Sequence, residues 1–199
     1  MGVTFDNTEK KFVFDFEHDG AEDIVSLTGD GYQVEAFGKC FYYGYEFSEQ
    51  VESAVRTAFI KYVKFTDDLQ NNADLTSFIK KAIDNLSHQI NLYDYNLVVM
   101  PESSSKVNQY MLRYIYRFAQ PTLRKMELVK ALPSKIASSG TDDELCTIIR
   151  HQNVLVIDDV TTSGSTLNEV LRTLRILNED NKITIFSLLG RKDLMAEAM

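Results

Sequence analysis

NVLVIDDVTTSGSTLNEVLRTLR runs from Asn153 to Arg175. Its opening residues, Val154 to Ile157, form a short continuous apolar run, the pattern of a strand buried on both faces. The run ends in two adjacent carboxylates, Asp158 and Asp159. Six small residues follow, Thr161-Thr162-Ser163-Gly164-Ser165-Thr166. Then Leu167, Val170, Leu171, Leu174 and Leu177 recur at helical spacing. The stretch therefore reads as strand, tight loop, helix.

Small residues between a strand and a helix let backbone N–H groups converge. The helix N-terminus adds partial positive charge, and the Thr and Ser hydroxyls add donors, which together suit a phosphate dianion. A nucleoside triphosphate loop would end in Gly-Lys-Ser/Thr, and this one does not. Two carboxylates beside a phosphate repel it unless something lies between. A ribose does so, because its hydroxyls donate to carboxylates while its 5′-phosphate sits in the loop. The same carboxylates can hold Mg²⁺ through water.

Outward from this stretch the chain alternates strand and helix. Asn96–Met100 reads as a strand, followed by a loop over Pro101–Ser105. A helix then carries Tyr110, Met111, Tyr114, Ile115 and Phe118 and ends before Pro121. Met126–Leu132 and Lys182–Gly190 read as strands, and Pro133–Glu144 is a long polar stretch. Such alternation predicts an α/β fold with a doubly wound, mainly parallel sheet. Ligands in these sheets bind beyond the carboxyl ends of the strands, here Pro101–Lys106 and Asp158–Thr166.

Residues 1–47 have a different texture. Phe12, Phe14 and Phe16 alternate with Val13 and Asp15, and Tyr32–Phe47 is aromatic and strand-like, with Gly38 and Gly44 as bends. The expectation is a small β-rich lobe, 1–47, on an α/β core, 48–199. The core opens with a helix capped by Ser48 and carrying Val51, Val55, Ala58, Phe59, Tyr62 and Val63. A second helix follows Asp74.

Composition narrows the classes. The chain has 199 residues and a net charge of −8, which argues against nucleic acid or anionic membrane as the main partner. No apolar run approaches a transmembrane length. No secretory signal is visible, and Cys40 and Cys146 form no metal or disulfide pattern, so the expected location is the cytoplasm. His18, His88 and His151 are scattered, and no nucleophile–base arrangement emerges.

VLVIDDVTTSGST, Val154 to Thr166, resembles the signature of type I phosphoribosyltransferases, which bind 5-phosphoribosyl 1-pyrophosphate (PRPP). The resemblance implies the type I phosphoribosyltransferase fold, with residues 1–47 as the hood over the acceptor. It implies Asp158 and Asp159 on the ribose hydroxyls and with the metal. Thr161, Thr162, Ser163, Gly164, Ser165 and Thr166 would surround the 5′-phosphate. Pro101, Glu102, Ser103, Ser104, Ser105 and Lys106 stand where the family places its diphosphate loop. The proline, the basic residue and the Asn108-Gln109 pair also resemble the ComF-like branch, named for proteins associated with DNA uptake. A lid over 133–144 would bring Lys130 or Lys135 to the diphosphate.

The implied reaction breaks the bond from ribose C1′ to diphosphate and joins C1′ to a nitrogenous base or related acceptor, with Mg²⁺ on the leaving group. Family enzymes for 6-oxopurines carry an Asp where Thr162 stands, so the departure argues against hypoxanthine or guanine. Two other classes remain: a non-catalytic module sensing PRPP or a nucleotide, and a scaffold. A homodimer is expected by analogy.

Overall fold

The computed structural model describes residues 2–6, 8, 11–29, 31–36, 39–47, 50–66, 68–101, 105–128, 152–161, 164–177 and 180–190. The first strands, β1 (Gly2–Asp6), β2 (Lys11–His18) and β3 (Ala21–Thr28), form an antiparallel meander. The chain then doubles back as the hairpin β4 (Tyr32–Ala36) and β5 (Lys39–Phe47). So the stretch from Tyr32, one run in the sequence pattern, is two strands.

Three helices and two strands come next: α1 (Ser53–Phe65), α2 (Ala73–Gln89), β6 (Leu97–Pro101), α3 (Lys106–Ile115) and β7 (Arg124–Leu128). The final unit is β8 (Asn153–Val160), α4 (Ser165–Leu177) and β9 (Lys182–Gly190). The strands form one sheet in the order β1-β2-β3-β5-β9-β8-β6-β7, with β4 also on β5. Pairing is antiparallel from β1 to β5 and parallel from β5 through β9, β8 and β6 to β7. The α/β class holds, and the sheet, expected to be mainly parallel, is mixed. Residues 1–47 are hydrogen-bonded into it through β5 and β9.

One cluster joins Phe12, Phe14 and Phe16 to Phe59 and Val63 of α1, to Phe78, Ala82 and Ile83 of α2, and to Met111 and Ile115 of α3. Leu155 and Ile157 of β8 belong to it as well. Val154 and Val156 alternate with them, are buried, and stand outside that cluster. The buried stripe of α4, Leu167, Val170, Leu171 and Leu174, lies beyond the cluster too, and α4 packs near β6. Helices thus cover both faces, as an α/β sheet requires. The period-two aromatics of β2 are core: Phe14 and Phe78 meet edge-on at 5.2 Å.

Several boundaries differ by a residue or two from the sequence expectation, and two helix ends differ by more. The first helix begins at Ser53 behind an extended Glu52, whose side chain makes no capping hydrogen bond. Ser48, the expected cap, lies outside the described residues; the cap position is Glu52, preceded by the buried Val51. The third helix ends at Ile115, and Phe118 follows in a hydrogen-bonded turn. The last residues of the strand expected to Leu132 lie outside the described residues, as does the 133–144 stretch.

Tyr45 of β5 stacks on Phe78 at 3.9 Å and donates its hydroxyl to the Phe78 carbonyl at 2.8 Å. Burial pushes its phenol well above the ordinary range. Beside it, Gly44 lets α2 approach the sheet. A Cβ on Gly44 would stand 2.7 Å from the Ala82 Cβ and 3.0 Å from the Leu188 carbonyl. Gly44→Ala is expected to lower stability by about 1–3 kcal/mol through overpacking. Adding Ala82→Gly should return part of it, and urea unfolding of the three proteins measures both effects.

Candidate functional site

The carboxyl ends of β6 and β8 are neighbours. Their register pairs Val99 with Val156, so Pro101 and Asp158 each lie two residues further on. From β6 the chain passes to α3 and on to β7 on one side. From β8 it passes through α4 to β9 on the other. This is a topological switch point, where diverging connections leave a crevice above the strands.

The β8–α4 turn is built around Gly164. It is buried and has φ 72°, the left-handed region that glycine enters without a Cβ penalty. Its carbonyl accepts the first α4 hydrogen bond, from the Asn168 N–H at 2.8 Å. The N–H groups of the first helical turn lack intrahelical acceptors by geometry and face back toward the strand end. Ser165 is exposed at that end and Thr166 half-buried. Thr161, by contrast, still belongs to the sheet edge. Its N–H donates to the Leu189 carbonyl at 2.9 Å, it is buried, and its hydroxyl has no hydrogen-bond partner. Thr162 and Ser163 lie outside the described residues.

The two carboxylates have different surroundings. Asp158 is buried, and its Oδ1 accepts the Asp159 N–H at 3.0 Å. Asp159 is only 1% exposed and faces α1, where Lys64 Nζ stands 3.1 Å from Oδ1. That contact is an ion pair without good hydrogen-bond alignment, and Asp159 Oδ2 has no hydrogen-bond partner. The sequence reading set both acids on one sugar. Neighbouring strand residues point to different sides, and Lys64 meets Asp159. Nothing near the motif announces Lys64, which arrives from the last turn of a helix far back in the chain.

The second loop is partly visible. Pro101 ends β6, and Ser105 is the N-cap of α3, its Oγ accepting the Val107 N–H at 3.2 Å. Lys106, the first residue of α3, lines a cleft of about 390 Å³ with Asp68, Gln109, Tyr110 and Arg113. Asn108 is buried on the stripe of α3 that carries Met111 and Ile115, and both its amide atoms lack hydrogen-bond partners. Glu102, Ser103, Ser104, Lys130 and Lys135 lie outside the described residues. A larger open cleft, about 810 Å³, separates the end of β2 from α1 and is lined by Phe16, Glu17, Asp19, Thr57, Lys61 and Tyr62.

No protein-family model matches this chain, and no curated protein does. Solved structures give distant likenesses. One is a hypoxanthine-guanine-xanthine phosphoribosyltransferase, at 16% identity, covering 59% of this chain and 62% of that one, with a TM-score of 0.39. Another is a phosphoribosyltransferase from Corynebacterium diphtheriae, at 16% identity over 69% of this chain and 94% of that one, TM-score 0.40. A third is the Mycobacterium tuberculosis orotate phosphoribosyltransferase in complex with PRPP, at 13% identity over 69% and 87%, TM-score 0.38. At these values the likeness does not decide what this chain does.

The turn itself can be tested without a ligand. Gly164→Ala forces a Cβ into the left-handed region and is expected to lower stability by about 1–2 kcal/mol. Gly164→Asn should lose less, because Asn tolerates that conformation. Equal losses in urea unfolding would mean that space, not backbone conformation, selects glycine there.

Proposed function

We propose that the carboxyl edge of β6 and β8 binds PRPP and transfers its phosphoribosyl group to a nitrogenous acceptor, releasing diphosphate. One observation supports this reading above the others. The Asp158-Asp159 strand end passes through a left-handed glycine into the N-terminus of α4, directly beside the end of the neighbouring parallel strand. The 5′-phosphate would lie at the first turn of α4, against Ser165, Thr166 and the intervening loop. The ribose hydroxyls would donate to Asp158. The diphosphate would lie toward Pro101–Lys106, where Lys106 supplies charge. The antiparallel half of the sheet would act as the hood, with the cleft along Phe16 and Tyr62 open to an acceptor.

Transfer would need Mg²⁺ beside the diphosphate. Among the described residues no three metal-ligating side chains cluster. Asp159 is a poor ligand because an ammonium already faces it. Asp158 is the carboxylate that would hold the ion, through water. When bound, the ion offsets charge on the leaving group. The protein's own part is to clamp the sugar, hold the phosphate and exclude water from C1′.

A second reading is favoured by one feature. Asp159 is paired with Lys64, which would make it a weaker acceptor for the sugar. A module that holds PRPP without transfer fits that arrangement. No helix among the described residues is long and apolar enough to cross a membrane.

PRPP with Mg²⁺ is expected to raise the unfolding midpoint, where ATP does not. A ligand at a hundred times its dissociation constant adds about 2.7 kcal/mol. Asp158→Asn keeps the acceptor for the Asp159 N–H but loses the charge, and should weaken PRPP about tenfold, roughly 1.4 kcal/mol. Unchanged affinity would remove Asp158 from the site. Diphosphate release in a panel of bases then separates transfer from binding alone.

A further inference from the structure

We infer that Lys64 is a positioning residue for this site, acting through Asp159 rather than on the ligand. The inference rests on the reading of the β8–α4 turn as an anion site. A carboxylate excluded from solvent repels a polyanionic ligand strongly, because little water screens it. Asp159 is such a carboxylate, 1% exposed and one residue from the strand end that leads into the phosphate loop. Lys64 is its one charged partner among the described residues, at 3.1 Å.

The lysine is placed to do this. It lies in the last turn of α1, where a cation also meets the negative end of the helix dipole. Its side chain is 31% exposed, so the stem reaches inward from the protein's surface while the ammonium meets the buried acid. The pair also ties α1 to the end of β8. Because α1 follows β5 directly, this charge contact adds to the β5–β9 pairing that already joins the antiparallel half to the rest of the sheet. A direct ligand contact by Lys64 would have a different signature, since its loss could not be repaired at Asp159.

Four proteins test this: the unaltered chain, Lys64→Met, Asp159→Asn, and the double variant, each titrated calorimetrically with PRPP and unfolded in urea. Lys64→Met leaves the carboxylate bare and should weaken PRPP at least tenfold. Asp159→Asn should change affinity less than threefold. The double variant should return to within threefold of Asp159→Asn. A double variant as weak as Lys64→Met would overturn the inference, because Lys64 would then touch the ligand or act only on the fold. So would a tenfold loss in Asp159→Asn alone, which would make Asp159 a direct ligand. If the unaltered chain does not bind PRPP, the reading of the turn fails separately. The urea midpoints still judge the pair: Lys64→Met should fall below the unaltered chain and regain most of the loss on adding Asp159→Asn. No regain would contradict the pairing.

Discussion

The parallel pairing of β5 with β9 is the contact on which the rest of this architecture depends. Without it the first five strands would be a separate antiparallel sheet. With it, Cys40 through Glu46 lie in register with Thr184 through Gly190, and the two halves share one surface. The chain leaving β5 at Phe47 then starts α1 at the same edge where β8 ends. That is how Lys64 comes within an ion pair of Asp159. Gly44 serves the same contact, since a side chain there would collide with α2 and with the Leu188 carbonyl.

The candidate site follows from strand order more than from any one residue. β6 and β8 are adjacent, yet their connections go to opposite sides, which opens a crevice at their carboxyl ends. Gly164 then determines how sharply the chain turns from β8 into α4, and so where the first N–H groups of that helix face. Electrostatics complete the arrangement. A chain of net charge −8 can accept a polyanion only where buried acids are neutralised or turned to hydroxyl donors. Asp159 meets Lys64, and the Asp158 carboxylate accepts the Asp159 N–H.

Much of this was legible in the sequence because it is local. The apolar run ending in two acids is β8, the small residues lead into α4, and the alternating phenylalanines of β2 are buried as their period requires. The hairpin within Tyr32–Phe47 was not resolved by pattern, because Gly38 read as a bend inside one run, whereas Ala36 pairs with Lys39 across two strands. Ser48 looked like a cap because hydroxyls cap helices, but the helix begins at Ser53, after the buried Val51. Lys64 could not be read at all. In KYVKF it is one more polar residue on an amphipathic helix, and only the long-range pairing of β5 with β9 gives it a buried partner.

The most direct measurement is an amide ¹H–¹⁵N titration of the protein with PRPP and Mg²⁺. If the β8–α4 turn is the anion site, the Gly164, Ser165 and Thr166 signals should shift first and saturate together, while those in the middle of α2 stay fixed. Shifts confined to the cleft between β2 and α1, with Gly164 to Thr166 unmoved, would contradict the account.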